Sequence, residues 1–308
     1  MSPPGPEGDL PAVRDVLVDV ARRLGSASEA RWILEYATGR NDVQVLARTG
    51  ARLPVDQADT VASVLERRLA GHPLQYLLGR WAFRSLDLAV DPRVLIPRPE
   101  TELVAGHALD ELRRSALAAP TEEPVRAADL GTGSGAIALT LAAEGPPLPG
   151  GRDLEVWAAD RSPGALEVAA ANEAEVRRAQ PGLAPVHLVE GSWFGALPPE
   201  LAGTLTLVVS NPPYVTEAEW TDLDPVVRDH EPYEALVSGP SGTEDLDAIM
   251  EEAPRWLAPW GVLVLELAPH QADGSALRAL VDGFDGVLIR NDLAGRARTL
   301  VARRSLET

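Results

Sequence analysis

The chain has 308 residues, of which 28 are basic and 46 are acidic, so its formal net charge is −18. All 28 basic residues are arginine, and the sequence contains no cysteine. This composition excludes a Schiff-base lysine, the lysine of a phosphate-binding P-loop, a thiol nucleophile, a disulfide and a cysteine-bound zinc. The net negative charge disfavours binding along the backbone of a nucleic acid, because phosphates require cationic partners.

The charge is distributed unevenly along the chain. Residues 1–85 hold 11 Arg and 10 acidic residues, for a net charge of +1, whereas residues 86–308 hold 17 Arg and 36 acidic residues, for −19. This difference indicates two parts with different roles. No apolar run of about 18 residues and no basic targeting segment occurs, so we expect a cytoplasmic protein without membrane contact. The five histidines lack metal-ligand spacing, so no metal site is expected.

The first part of the chain has a helical pattern. Apolar residues recur there at spacings of three and four, as an amphipathic helix requires: Val13, Val16, Leu17, Val20 and Leu24. Further helices are predicted over 26–38, 42–47 and 56–70, joined by glycine turns. Together they would form a small helical bundle, which either caps the core of the second part or docks a substrate.

The pattern changes near residue 73. Apolar and polar residues alternate over 83–90, which predicts a two-stranded ribbon, and a helix is then predicted to begin after Pro99. Seven short apolar runs follow, at first separated by helical stretches. They cover 125–130, 154–160, 185–190, 204–210, 261–267, 286–290 and 298–304. This alternation predicts a doubly wound α/β sheet of seven strands, and the closeness of the last two runs predicts an antiparallel pair at its end.

A glycine-rich turn follows the first of these strands. Residues 129–139 read DLGTGSGAIAL, so an apolar strand leads through Gly131, Gly133 and Gly135 into a helix. Glycines at such a turn let a ligand approach the backbone, and the helix start offers free N–H groups. The G-x-G-x-G spacing differs from the dinucleotide fingerprint, and a strand–helix turn without a ligand is the alternative interpretation.

An acidic residue ends the second strand. Asp160 lies at the position where doubly wound folds hold a pair of ribose hydroxyls. It follows Gly131 by 29 residues, and an inserted loop at 144–153, rich in proline and glycine, accounts for the long spacing. The alternative is an aspartate that only caps the next helix.

The most specific signal is the sequence SNPPY at 210–214, which ends the fourth strand. Its two prolines stiffen the turn and remove two N–H donors, so the carbonyl acceptors there lack competing donors. Asn211 offers a side-chain carbonyl, Pro212 a backbone carbonyl, and Tyr214 an aromatic face. Such a set can accept both hydrogens of a planar –NH₂ group and sandwich the group that carries it.

The glycine loop, Asp160 and SNPPY together resemble S-adenosylmethionine-dependent amino-methyltransferases. Four further segments narrow the resemblance to the HemK-type glutamine methyltransferases, which modify a glutamine of peptide chain release factors. These segments are HPLQYLLGRWAF (72–83), VLIPRPETE (94–102), HEPYEAL (230–236) and LELAPHQ (265–271). The resemblance covers nearly all of residues 10–305 and implies a Rossmann-like methyltransferase sheet behind a small N-terminal helical bundle domain.

By position, the resemblance implies a cofactor site and a substrate site. The Gly-rich loop would cradle the methionine end of S-adenosyl-L-methionine, while Asp160 would hold the ribose hydroxyls and Trp193 would lie near the adenine. Asn211 would contact both cofactor and substrate. The implied catalytic residues are Asn211, Pro212 and Tyr214; the implied cofactor-binding residues are Gly131, Thr132, Gly133, Ser134, Gly135, Asp160, Trp193 and Asn211; and the implied substrate-binding residues are Asn211, Pro212, Pro213 and Tyr214.

The resemblance also implies a division of labour along the chain. Residues 1–72 would form a substrate-docking domain, 73–95 a ribbon linker and 96–308 the methyltransferase domain, acting as a monomer on a release factor. Three features depart from the family pattern. Ser192 replaces an acid that often precedes the tryptophan, Tyr233 replaces a common arginine, and the loop GPSGTEDL at Gly239 is slightly irregular.

Two other substrates are compatible with these motifs. An NPPY loop could also hold a glutamine of a ribosomal protein or the exocyclic amine of a nucleic-acid base. Base methylation would require flipping the base and holding phosphates, which the charge of −19 over residues 86–308 disfavours. A non-catalytic cofactor-binding module is the alternative of a different class.

Overall fold

The computed structural model of the protein describes residues 10–119, 123–145, 148 and 151–304. The described residues divide into two compact units. The first unit holds the chain up to Gly79 together with Pro225–His230, and the second holds Arg80–Asp224 and the chain from Glu231 onward. Much of the inserted loop predicted at 144–153 lies outside the described residues.

The first unit is helical, as the apolar periodicity predicts. Its helices are α1 (Val13–Leu24), α2 (Ala27–Thr38), α3 (Val43–Arg48), α4 (Val55–Leu69) and α5 (Leu74–Leu78). Gly25 and Gly39 end α1 and α2 with φ of +68° and +66°, a conformation in which glycine avoids the strain of a Cβ. The fully buried centre is apolar and includes Ala30, Ile33, Leu34 and Val43.

The second unit begins with an antiparallel ribbon of β1 (Arg80–Phe83) and β2 (Leu86–Ala89). Phe83 and Leu88 are fully buried and belong to a core cluster shared with the main sheet, so the ribbon is an integral part of this unit. The functional division at 72 and 95 stays a prediction. The structure places α5 in the first unit and the ribbon in the second.

A seven-stranded sheet forms the centre of the second unit. Its strands are β3 (Val125–Leu130), β4 (Leu154–Asp160), β5 (Val186–Glu190), β6 (Leu205–Ser210), β9 (Leu257–Glu266), β10 (Phe284–Asn291) and β11 (Ala297–Arg304), and they lie in the order β10-β11-β9-β6-β3-β4-β5. Two further strands, β7 (Val215–Thr216) and β8 (Val237–Gly239), form a separate parallel pair. The antiparallel pairing of β10 with β11 confirms the predicted final pair, and β11 is also antiparallel to β9. The other neighbouring strands of this sheet are parallel.

Helices complete the second unit. They are α6 (Pro99–Ala118), α7 (Ala136–Glu144), α8 (Pro163–Ala179), α9 (Glu217–Trp220), α11 (Glu244–Trp256) and α12 (Ala272–Val281), whereas α10 (Pro225–Arg228) belongs to the first unit. Alternate residues of β3 serve the two faces of the sheet: Ala127 packs in the cluster with α6 and α7, and Ala128 in the cluster with α11 and α12. Such two-sided burial explains why the strands are apolar almost without interruption.

The strand order reverses beside β3. From β3 the chain continues to β4 and β5 on one side, and later to β6 and β9 on the other. The carboxyl ends of β3 and β6 therefore border a topological switch point, where doubly wound sheets bind ligands. No helix within the described ranges has both the length and the apolar character needed to cross a membrane.

Candidate active site

A cavity of about 1010 Å³, counted with its mouth open to solvent, lies at the carboxyl ends of β3, β4 and β6. Eight of the residues expected to bind cofactor or substrate line it: Gly131, Thr132, Gly133, Ser134, Asp160, Trp193, Asn211 and Pro213. Gly135, Pro212 and Tyr214 are not among the lining residues.

The glycine loop between β3 and α7 forms one wall of the cavity. Gly131 and Gly133 have φ of +74° and +55°, which glycine adopts without steric cost. A Cβ at Gly131 would lie 3.3 Å from the ring of Trp193, whereas a Cβ at Gly133 would meet no atom within 4 Å. The bare backbone of Gly133 thus leaves a cradle that a ligand can fill. Gly135 instead caps α7 at its start.

A buried carboxyl group holds this loop from behind. Asp129 Oδ2 accepts hydrogen bonds from the Thr132 hydroxyl at 2.6 Å and from the Ala138 N–H at 3.0 Å. Burial raises the pKa of Asp129 to about 7, although the hydrogen bond from Thr132 acts in the opposite direction. Sequence reasoning assigned no role to Asp129, whose contacts give it a structural role beneath the loop.

Asp160 is fixed between the glycine loop and α8. One carboxylate oxygen accepts the Gly133 N–H at 2.8 Å, and the other accepts the Ser162 N–H at 2.9 Å. Each carboxylate oxygen can accept a further hydrogen bond, because a carboxylate offers about four acceptor positions. The side chain is partly exposed on the cavity wall, so it can meet hydroxyl groups of a ligand.

Trp193 closes the cavity on the side of the glycine loop. Its φ of +46° is rare for a residue with a side chain, and it begins a short 3₁₀ helix over Trp193–Ala196. The neighbouring Ser192 also lines the cavity but is a hydroxyl where the family often has an acid. The ring of Trp193 supplies an apolar surface beside Gly131.

The SNPPY turn is held rigidly at the end of β6. The Ser210 hydroxyl donates to the carbonyl of Leu130 at 2.6 Å, which ties the end of β6 to the end of β3. Beyond the two buried prolines, the Tyr214 N–H donates to Leu236 at 3.2 Å, and the Gln271 side chain donates to the Tyr214 carbonyl at 3.2 Å. The turn is thus pre-organised, with Asn211 and Pro213 on the cavity wall.

A chain of hydrogen bonds links the turn to Thr101, which also lines the cavity, and to the buried Glu266. Asn211 Nδ2 donates to the Thr101 hydroxyl at 3.2 Å, and this hydroxyl donates to Glu266 Oε2 at 2.7 Å. The Tyr214 hydroxyl lies 3.4 Å from Glu266 Oε1. Burial raises the pKa of Glu266 to about 7, and burial together with the charge of Glu266 raises the pKa of Tyr214 above its usual value.

Sequence reasoning missed Thr101 and Glu266 as members of the site. Both occur in segments that carry the family resemblance, but no chemistry was assigned to either residue. The available signal was Glu266 itself, a lone acid at the end of the apolar run GVLVLEL. Burying a carboxyl group is costly unless it has hydrogen-bond partners, so an acid at a buried position of a strand is a candidate functional residue.

Arg98 is paired rather than free. Its guanidinium lies 2.6 Å from Glu231, a buried carboxylate that also accepts the N–H of Ile96 at 3.1 Å. The sequence left two interpretations of Arg98 open, a contact with the carboxylate of the cofactor and a structural ion pair, and this geometry favours the ion pair. Tyr233 is the residue that replaces a common arginine of the family. Its ring packs edge-on against Trp220 at a centroid distance of 4.9 Å.

Comparison with known proteins agrees with this geometry. The release factor glutamine methyltransferase of Deinococcus radiodurans is 38% identical over 95% of this chain and 99% of that protein. The enzymes of the same name from Coxiella burnetii and Escherichia coli are each 34% identical, over 95% and 94% of this chain and 99% and 97% of those proteins. This chain belongs to the release factor glutamine methyltransferase family. Residues 16–79 also match the family described as the PrmC N-terminal domain.

Membership of the release factor glutamine methyltransferase family covers both units, because the relatives align over nearly their whole length. We propose roles for the glycine loop, Asp160, Trp193 and the NPPY residues from the geometry of the cavity.

Proposed function

We propose that this protein transfers a methyl group from S-adenosyl-L-methionine to the side-chain amide nitrogen of a glutamine in a peptide chain release factor. The observation that carries this proposal is a single cavity in which the glycine loop and Asp160 face Asn211 and Pro213. A cofactor wall and an amide-binding wall thereby meet at the switch point of the sheet. The family membership supports the release factor as the substrate.

The cavity fits S-adenosyl-L-methionine, because it combines an open backbone cradle at Gly133, the carboxylate of Asp160 and the aromatic ring of Trp193. When bound, this cofactor supplies an electrophilic methyl group on a sulfonium sulfur. We assign the methionine end to the glycine loop, the ribose hydroxyls to Asp160 and the adenine to the neighbourhood of Trp193. Gly135 contributes indirectly by starting α7.

The amide nitrogen of glutamine is a poor nucleophile, because its lone pair is delocalised into the carbonyl. In our proposal, Asn211 Oδ1 and the Pro212 carbonyl accept the two N–H hydrogens and favour a pyramidal nitrogen. The lone pair then points away from both acceptors, toward the methyl donor. Tyr214 and Pro213 orient the amide, so positioning supplies a large share of the rate enhancement.

This mechanism needs no strong general base. The nitrogen carries a positive charge once it has gained the methyl group, and a protonated amide loses its proton readily to water. Neither a lysine nor a thiol is required, which agrees with a composition that contains neither. We also propose that the protein acts in the cytoplasm, because release factors act there.

Four substrates incubated side by side with a labelled methyl donor test this proposal. They are a release factor, the same factor with its target glutamine replaced, a ribosomal protein fraction and DNA. We expect label on the intact release factor and loss of label from the replaced one. Label on the DNA alone would overturn the proposal, and label on the ribosomal proteins alone would favour the ribosomal alternative.

A further inference from the structure

Glu266 is a buried carboxyl group without a cationic partner. It ends β9 and is fully buried, and no arginine of the described ranges lies within ion-pair distance of it. The charged side chains that act on it from a distance are Arg298 on β11 and Glu100 on α6, and the titratable hydroxyl of Tyr214 lies 3.4 Å from it. Burying such a group has a free-energy cost, so a buried carboxyl group beside a candidate active site is a candidate for a functional role.

The hydrogen bonds of Thr101 connect this carboxyl group to the turn. A threonine hydroxyl has one hydrogen to donate and two lone pairs that accept. Thr101 uses its hydrogen toward Glu266 at 2.7 Å, so toward Asn211 the hydroxyl can only accept. The –NH₂ end of the Asn211 amide must therefore face Thr101.

The orientation of Asn211 follows from this constraint. With Nδ2 directed at Thr101, the carbonyl oxygen Oδ1 takes the opposite side of the amide, and it accepts no hydrogen bond from the described residues. Asn211 lines the cavity. If Glu266 carried a proton, Thr101 could donate to Asn211 instead, and the flipped amide would present donors where an acceptor is required.

We propose that Glu266 acts through Thr101 as a positioning residue that holds the Asn211 carbonyl in the orientation needed to accept an N–H of the substrate amide. This role rests on the proposed methyl transfer to glutamine. It is distinct from the cofactor contacts, because Glu266 is buried behind the turn and does not line the cavity.

The relay predicts a specific pH dependence. The ionised carboxylate is the form that orients Asn211, so the rate of methyl transfer should be full above the pKa of Glu266 and should fall as pH drops through it. Burial raises that pKa to about 7. A decrease in the rate near neutral pH is therefore expected for the wild-type protein, about tenfold for each unit below that value.

Single-turnover methylation of a release factor, measured from about pH 6 to about pH 8.5, tests the relay in four variants. Glu266→Gln keeps the shape and an acceptor for Thr101 but cannot ionise, so its rate should show no decrease toward low pH. Thr101→Val removes the hydroxyl, and its rate should fall at least about tenfold while the dissociation constant of the cofactor stays within about threefold. Thr101→Ser restores the hydroxyl and should recover most of the rate.

Thr140→Val is the matched packing control. Thr140 is fully buried, its hydroxyl donates to Ala136 within α7, and it does not line the cavity. Its rate should stay within about twofold of the wild type. Thermal unfolding of each variant identifies any change that arises from lost stability.

Two outcomes separate the relay from the activity on which it rests. If the wild-type protein transfers no methyl group to a release factor, the proposed function itself fails. If the wild-type protein is active, but Glu266→Gln keeps the decrease toward low pH or a folded Thr101→Val keeps the full rate, only the positioning role is overturned.

Discussion

At the scale of single residues, the site depends on acceptors that are fixed before a substrate arrives. Asn211 and Asp160 show this most clearly, because each is already held by hydrogen bonds to neighbouring protein groups. Groups held in this way lose little further freedom on binding, so their contacts with a ligand are worth more than those of mobile side chains.

Replacing Asn211 with alanine should separate turnover from cofactor binding. The variant loses one of two acceptors for the substrate amide, so kcat should fall about 100-fold or more. The dissociation constant of S-adenosylmethionine should change by less than about threefold, as isothermal titration can measure. Asn291→Ala, an exposed asparagine at the end of β10, is the matched control and should behave as wild type. Comparable losses of turnover and cofactor affinity in Asn211→Ala would contradict the assigned role.

Asp160→Asn should weaken cofactor binding and leave turnover nearly unchanged, which is the opposite of the effects expected for Asn211→Ala. The amide can still accept one backbone N–H, but it loses the charge that strengthens hydrogen bonds from ribose hydroxyls. We expect the dissociation constant of the cofactor to rise about tenfold or more, with kcat close to wild type once the cofactor is saturating. An unchanged dissociation constant would leave Asp160 with only its contacts to Gly133 and Ser162.

At the scale of elements, the glycine loop has a shape that side chains would destroy. Gly131→Ala should be destabilising by about 1–2 kcal/mol, because φ is +74° there, and the new Cβ would also lie 3.3 Å from Trp193. Gly203 has nearly the same φ, +75°, with no atom within 4 Å of a new Cβ. Gly203→Ala should therefore lose similar stability in urea unfolding yet keep cofactor affinity. If Gly131→Ala bound the cofactor as tightly as Gly203→Ala does, Gly131 would serve only the backbone turn.

Most elements could be predicted because each has a local signal. The apolar periodicity located α1–α4, and the seven apolar runs match the seven strands of the main sheet. Helices α11 and α12 were not predicted, because neither begins with a proline as α6 does at Pro99. Helix α5 was missed because its five residues merge with the following ribbon.

The site could be predicted only as far as its motifs reach. The Gly-rich loop, Asp160 and Asn211 each stand at a strand end, so the topology brings them to one cavity, as the sequence indicated. The link between Thr101 and Glu266 joins residues 165 positions apart, and no local pattern contains it. Likewise, the partnership of Arg98 with Glu231 became clear only from the fold.

At the scale of the whole molecule, the net negative charge has two consequences for the choice of substrate. It disfavours nucleic acid as a substrate, and it can steer a positively charged partner over distances of about 10 Å at 0.1 M ionic strength. The strongly acidic part begins near residue 86, close to the start of the second unit at Arg80. The charge distribution therefore follows the boundary between the two units.

The steering hypothesis predicts that kcat/KM for the release factor falls as salt is added. Raising the ionic strength from about 0.05 M to about 0.5 M should lower this ratio by at least about threefold, with kcat little changed, because screening slows encounter but not chemistry. Stopped-flow association of enzyme with release factor checks the same point directly. A salt-independent association rate would show that the net charge of −18 has no role in encounter.

Peptide mapping by mass spectrometry of a release factor incubated with the enzyme and S-adenosylmethionine is the most direct measurement of the proposed reaction. We expect the mass of one added methyl group on a single glutamine, located by fragmentation on the side-chain amide, and its absence when Asn211→Ala replaces the wild type. A methyl group on a carboxylate, on an arginine or on a backbone nitrogen, with the glutamine unmodified, would contradict the amide-holding role of the NPPY turn.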